Sequence, residues 1–438
     1  MCCRFHLRDT IEGDGPPVRK RPHDYRTIPR SPESWNGSGC VMKGKIARSI
    51  SCLDRWIGRN GWAGFDPFSV LEKPLFLQLQ RLPKILPFRI IRYPFFASLG
   101  LVPAFWIRVL GCHPQVNAKA MGLFAKAYLT LFEKTGNDEY LRKSRVCLEW
   151  LEHNYSPGYS GLCWGYPFDW QSHVFFPKGT PSSVVSFTVG DAFWCAYRMI
   201  GEKKYLDICK SICFFFMNDL NQDRRTENSL CFSYTPLDRM HVHNANLFTA
   251  EFLIRVGKEL NRTEFQQTGM AALQYSLDGQ RQDGAWPYFG EPDTYPNIVD
   301  HYHTGFVLRM LHSIYEHTEN SRVLQAIRTG FAYYLNHLFH EETLPKFSDG
   351  KTYPVDIHAC SEGILCLNEL IEFDPRAEEI LDNLLSWTID EMQDAEGYFY
   401  YMKKKNLTLK IPYLRWSQAW MLLALSEVMD HQKENRGI

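Results

Sequence analysis

Thr135-Gly-Asn-Asp-Glu-Tyr-Leu141 and Ile200-Gly-Glu-Lys-Lys-Tyr-Leu206 are written to nearly one pattern, 65 residues apart. Three further stretches carry the same kind of turn: Leu260-Asn-Arg-Thr-Glu-Phe265, Thr318-Glu-Asn-Ser-Arg-Val-Leu324 and Phe373-Asp-Pro-Arg-Ala-Glu378. Each lies between two helical patterns, a first helix of about five turns and a second that follows at once. The unit recurs roughly every 55–65 residues, which suits one helical hairpin plus one long loop. A sixth first helix is expected from near Tyr413 to about Asp430.

The two helices of a unit differ in pattern. Ala120–Leu131, Ala192–Met199, Leu247–Ile254, Phe306–Ile314 and Ile364–Leu370 are apolar on nearly all faces, as buried helices are. The second helices are amphipathic, as in Tyr140–Leu151 with Arg142, Lys143 and Glu149 on its polar side. An inner ring of buried helices inside an outer ring of half-buried ones makes an all-α protein, a closed (α/α)6 toroid spanning 116–430. An open superhelix of helix pairs is the competing arrangement, but its repeats are usually shorter, about 34–47 residues.

Outside the toroid, residues 1–50 are rich in Pro, Arg, Ser and Gly without periodicity and are expected to lack structure. Residues 51–115 read as an irregular lead-in packing on the barrel, with a helix near Ser69–Leu82, and 431–438 as a tail. Within the lead-in, residues 93–107 carry no charge and are flanked by Arg89, Arg92 and Arg108. The run is too short to span a bilayer and contains Pro94 and Pro103. It admits two readings, a buried segment against the barrel or a peripheral contact lying in a lipid interface.

Composition narrows the function. Lys plus Arg and Asp plus Glu number 49 each, so there is no electrostatic case for nucleic acid. The 13 cysteines lack paired spacing, and several, such as Cys195, Cys209, Cys213 and Cys366, fall in apolar helical runs. They read as buried free thiols, and with no signal peptide at the start a reducing cytoplasm is the default expectation. The aromatic share of 14% exceeds what a core needs and asks for a cleft that uses ring faces.

That cleft is expected at the mouth where the long loops enter the inner helices. Polar residues gather there: Asp191, His241, His243, Asn244, Asp300, His301, His303, Asp356, His358, Trp416 and Gln418. Asp300-x-x-His303 and Asp356-x-His358 each place a carboxylate beside an imidazole, a pairing suited to acid–base work near neutral pH. Paired carboxylates are also the apparatus of glycoside hydrolysis. Helix capping is the plainer reading of both aspartates. His241, His243, His301, His303 and His358 could be grouped into a zinc set, but no Cys-x-x-Cys or His-Glu-x-x-His is present, and neither metal nor cofactor is expected. The loop aromatics Trp164, Tyr166, Trp170, Tyr234, Trp286, Tyr288, Tyr353 and Tyr398, with Asp169 and Asp283 among them, fit a sugar's apolar face and its hydroxyls. Phosphate-cradling and nucleophile-elbow motifs are absent from the sequence.

The phrases Cys163-Trp-Gly-Tyr-Pro-Phe-Asp-Trp-Gln171, His243-Asn-Ala-Asn246, Asp283-Gly-Ala-Trp-Pro-Tyr288, Asp300-His-Tyr-His-Thr-Gly-Phe306 and Tyr353-Pro-Val-Asp-Ile-His-Ala359 carry a resemblance. From about Asn117 to Asp430 the chain resembles the six-hairpin glycosidase-like superfamily. More narrowly, it is similar to uncharacterised proteins encoded among polysaccharide-biosynthesis genes, the VpsJ-type family included. The resemblance implies an oligosaccharide or polysaccharide substrate and a glycosidase-like enzyme working with cleft carboxylates. A uronic-acid epimerase or lyase, and a glycan-binding scaffold of a membrane-associated assembly, stay open beside it.

Overall fold

The computed structural model describes residues 38–82 and 86–430. Residues 1–37 and 431–438 of the expected tails lie outside it. The described residues from Met42 to Asp430 form one compact unit.

Five hairpins follow one another: α6 (Ala118–Thr135) with α7 (Asp138–His153), α8 (Ser183–Ile200) with α9 (Lys203–Asp219), α10 (His243–Glu259) with α11 (Thr263–Asp278), α12 (His301–Thr318) with α13 (Ser321–His337), and α14 (Ile357–Glu369) with α15 (Arg376–Met392). A π-helical turn, Leu414–Ala419, then leads into α16 (Trp420–Val428). The first helices pack side by side in order, and α16 packs back onto α6. That last contact closes the ring and excludes an open superhelix; the fold is an (α/α)6 toroid. The turns end helices as their residues dictate: Gly136 and Gly201 take left-handed φ of 67° and 82°, where a Cβ would be strained.

Five hairpins and α16 leave one outer position unfilled, and the N-terminal helix α1 (Ser38–Asn60) takes it. Ile46, Ile50, Leu53 and Ile57 are buried at helical spacing. On one side Lys45 Nζ meets Asp390 Oδ2 at 2.6 Å and Ser49 Oγ donates to Gln393 Oε1 at 2.7 Å. On the other, Asp54 accepts from Tyr128 OH at 2.8 Å and from Lys143 Nζ at 2.7 Å. The expectation of an unstructured chain to residue 50 is therefore corrected from Ser38 onward. Composition put the boundary inside a helix whose apolar period runs across it.

The lead-in is helical in pieces: α2 (Phe68–Leu71), α3 (Pro74–Arg81), α4 (Leu86–Leu99) and α5 (Pro103–Val109). The single helix expected near Ser69–Leu82 breaks at Lys73, because Pro74 cannot continue a preceding helix and starts a new one instead. Val70, Phe76 and Cys112 form a small core of their own, with Phe95, Phe96, Leu99 and Trp106 packed on it. The segment 93–107 is thus buried on one face only. Among the described residues no single helix is long and apolar enough to cross a membrane, and α4 and α5 meet at a bend of 99°.

Several charged residues of the inner helices are buried and pair with one another. Lys126 and Arg255 both meet Asp191 at 2.8 Å, and Arg309 meets Glu362 at 3.1 Å. Eight of the ten described cysteines are buried, and all ten are free thiols.

Candidate active site

Because each inner helix is followed by an outer helix running back, all six inner helices start at the same end. Polar side chains cap four of them, Asn117, Ser182, Asp300 and Asp356.

The loops reaching this end share a local rule. In Trp164-Gly-Tyr166, Phe232-Ser-Tyr234, Trp286-Pro-Tyr288 and Phe399-Tyr-Tyr401 the first aromatic is buried and the tyrosine two residues on is half-buried. The first ring packs down into the helical layer, and the tyrosine two residues on keeps part of its surface open. Inner helices hold the plugs by their backbone amides: Trp164 N donates to Ser186 Oγ, Phe232 N to Asn246 Oδ1, and Phe399 N to Gln418 Oε1, at 2.8–3.0 Å. Gly165 is required in its loop, since a Cβ there would sit 2.2 Å from the Thr180 carbonyl oxygen.

This rule places one expected cleft residue in the core and another at the inner wall of the cleft. Trp164 is buried with its indole N–H donated to the Leu151 carbonyl at 3.1 Å, and Trp286 is buried with its N–H donated to the Ser276 carbonyl at 2.7 Å. Trp286 still closes the inner wall of the cleft described below, but Trp164 belongs to the core. Three acidic residues are also displaced. Asp191 lies two turns inside α8, where burial alone would raise its pKa but Lys126 and Arg255 hold it well below the usual range. Asp283 is exposed and pairs with Arg281 at 2.6 Å. Asp169 shapes its own loop by accepting from the Lys178 amide at 2.6 Å. Tyr353 is half-buried against the core in the loop that leads to Asp356.

The remaining residues come together. Asp300, 6% exposed, accepts from the His303 amide through Oδ1 at 3.0 Å and meets His303 Nδ1 through Oδ2 at 2.6 Å. With the carboxylate as acceptor, Nδ1 is the donor of this bond and Nε2 is the ring nitrogen turned away from it. Both oxygens of Asp300 are thereby used, and the group acts through His303. The His303 ring lies 4.4 Å from Tyr288 and 4.2 Å from Tyr302. Asp300, His303, Thr304 and Tyr288 line a small cleft with His243, Asn244, Ile298 and Val307. His243 is buried with Nδ1 unpartnered, and burial lowers its pKa to about 4.

Asp356 accepts from the His358 amide at 2.9 Å and from the Trp416 indole at 2.8 Å. Burial pushes its pKa up to about 7 against those two hydrogen bonds, and the charge of Asp300 adds to the rise. Part of the side chain stays open to the mouth, so it can exchange its proton with solvent. His358, 2% exposed, stacks on Tyr302 at 4.8 Å and stands against Trp416 and Trp420. Neither of its ring nitrogens has a hydrogen-bond partner. Burial, with the positive charges of Lys119 and Arg415, keeps it neutral. Trp170 stacks on Phe176 at 4.4 Å and turns its edge to Tyr166 and Tyr234.

Several mouth residues were not anticipated. Arg415 makes a two-pronged pair with Asp66 at 2.6 and 2.8 Å and lies 5.0 Å from the rings of Tyr166 and Trp416. Tyr302 and Tyr401 stand close enough to Asp356 for its charge to help burial raise their pKa values. Lys119, 4% exposed at the start of α6, lies over Trp420, and burial lowers its pKa to about 7. The aromatic-x-Tyr repeat was the available signal for Tyr401; nothing local marks Asp66.

The histidines go to separate places: His241 to Asp223 and Asp293, His301 to Tyr334, His303 to Asp300. Among the described residues no three His, Cys, Asp or Glu converge as a metal site.

Solved structures share this architecture. An unsaturated glucuronyl hydrolase specific for heparin aligns with a TM-score of 0.58 at 13% identity, over 88% of this chain and 96% of its own. A sugar epimerase from a ruminal bacterium aligns with a TM-score of 0.58 at 12% identity, over 73% and 90%. A family 76 glycoside hydrolase from a bovine Bacteroides thetaiotaomicron strain aligns with a TM-score of 0.56 at 13% identity, over 72% and 69%. No protein-family model and no curated protein matches the chain. The chain shares the (α/α)6 fold of these enzymes, and a D-mannose isomerase also aligns with it, with a TM-score of 0.56 at 12% identity.

Proposed function

We propose that the protein is an enzyme of glycan metabolism that hydrolyses a glycosidic bond in an oligosaccharide or polysaccharide. Asp356 is the acid: a carboxyl that keeps its proton to about pH 7 can give it to the leaving-group oxygen at neutral pH. That single property carries the reading. His303, oriented by Asp300, is the base, and its Nε2 takes a proton from the water that attacks the anomeric carbon. The two carboxylates thus have unequal parts, one donating directly and one acting through an imidazole. Tyr166, Trp170, Tyr288 and Trp416 supply ring faces for the sugar, with His243 and Asn244 as hydrogen-bonding partners. The sugar-acting neighbours support a saccharide substrate, and the similarity to VpsJ-type proteins favours a place in polysaccharide assembly.

Epimerisation is the second reading. The observation favouring it is a neutral, unpartnered His358 one inner helix away from His303. Two imidazoles so placed could remove a proton from a sugar carbon and return one to its other face. Incubating candidate oligosaccharides in D2O separates the two. Hydrolysis yields new reducing ends with no carbon-bound deuterium, whereas epimerisation yields deuterium at one sugar carbon and no cleavage. Full activity in Asp356→Asn would overturn the first reading.

A further inference from the structure

The α4–α5 hairpin has a face that nothing in the toroid covers. Ile90, Ile91, Tyr93, Leu101, Phe105 and Val109 stand about half or more exposed within 20 residues. Ordinary surfaces scatter such side chains singly, and clustering of this kind marks an interaction site. The opposite face is anchored by packing around Phe76, and Trp106 Nε1 donates to Ser98 Oγ at 3.0 Å across the bend. The hairpin is therefore held in shape with its apolar side outward.

Charge tells what covers it. From Lys73 to Leu110 the sequence has six basic residues and no acidic one. Arg81 and Arg108 are exposed and Arg92 is half-buried beside the apolar side chains. A protein partner of the usual mixed surface would not call for such one-sided charge. An anionic bilayer does, since it offers an apolar layer beneath a negative surface. The 99° bend and the short helices suit an element that lies in the interface plane and does not cross it.

We propose that α4 and α5 dock the protein on anionic lipid surfaces, with their apolar side chains among the headgroups and the flanking arginines on lipid phosphates. The lead-in that carries the hairpin reaches the mouth end of the toroid, through α3 and through Gly100 at the bend. Arg81 Nε donates to Gln171 Oε1 at 3.2 Å, next to Trp170. Lys404 Nζ donates to the Gly100 carbonyl, and Lys404 lies in a strand paired with Val355–Asp356. Docking through this face sets the candidate site beside the lipid headgroups, where a membrane-attached glycan would be presented.

Flotation of the full chain with vesicles tests it. Vesicles of phosphatidylcholine with a third phosphatidylglycerol are expected to carry the protein upward, and pure phosphatidylcholine or 0.5 M salt to release most of it. Phe105→Asp with Arg108→Glu is expected to reduce partitioning at least tenfold while leaving the thermal midpoint unchanged; both side chains are exposed. Failure of the wild type to float, or equal flotation of the variant, overturns the proposal. So does sedimentation showing a wild-type dimer that the variant converts to monomer, because the face would then cover a second copy of the chain.

Discussion

Replacing Asp356 by Asn should stabilise the protein at alkaline pH while abolishing its chemistry. Asn is as good an N-cap as Asp, and its side-chain oxygen can still accept from the His358 amide and the Trp416 indole. Folding therefore loses little. What changes is the proton. A carboxyl raised from its usual 3.8 to about 7 binds its proton more tightly in the native state than in the unfolded chain. By linkage, native stability then falls as pH climbs from about 4 to about 7 and is level above that. At about 1.36 kcal/mol for each pKa unit, the loss is up to ~4 kcal/mol, reduced by solvent reaching the open part of the side chain. The Asn variant lacks this loss. Urea unfolding followed by tryptophan fluorescence at pH 4.5, 6 and 8, wild type against variant, isolates the contribution, because all other titrating groups cancel in the difference. The two proteins should agree within about 1 kcal/mol at the lowest pH, and the variant should exceed the wild type at pH 8. Parallel curves with the variant weaker throughout would show Asp356 to be an ionised cap, and the acid assignment would fall with it.

Other consequences are more quickly stated. His303→Gln and Asp300→Asn should each lower turnover by about 10²–10⁴-fold, and the basic limb of the pH–rate profile, set by the Asp356 proton, should stay in place in His303→Gln and shift to lower pH in Asp300→Asn, which removes a charge that helps hold that proton. Arg415→Met leaves Asp66 buried without its partner and should cost about 3–5 kcal/mol in urea unfolding, whereas the double variant Arg415→Met with Asp66→Leu should recover much of it. Fluorescence changes on adding a fitting oligosaccharide should survive Trp164→Phe and weaken in Trp170→Phe; the reverse result would return Trp164 to the cleft.

How far the sequence could be read depended on which period carried the information. The hairpin repeat is long and written in turns such as Thr135–Leu141, so the toroid and its inner helices were legible. The starts of α12 and α14 were legible too, because Asp300 and Asp356 immediately precede apolar helical runs. Asp191 misled because α8 begins eight residues earlier at Ser183, in a Ser-Val-Val-Ser stretch that does not announce a helix. Trp164 misled because a loop aromatic looks like a ligand platform, and only the helices packed under the loop show that its ring is buried. Asp66 could not be found by any local pattern. Its role is set by Arg415, 349 residues away, and only the closed ring brings them together.

The twelfth helix has a consequence for how the chain is made. Helix α1 leaves the ribosome before the rest of the ring, yet its hydrogen-bonding partners Ser386, Asp390 and Gln393 lie 341 to 345 residues downstream. Until they emerge, its apolar stripe of Ile46, Ile50, Leu53 and Ile57 has only the α6–α7 side to rest against, and every completed hairpin behind it presents an unpaired flank. Synthesis at about 5–20 residues per second keeps that flank open for roughly 20 to 70 seconds. The last place in the circle is filled by a helix made before all the others of the ring, so the nascent toroid needs shelter until its fifth hairpin is complete.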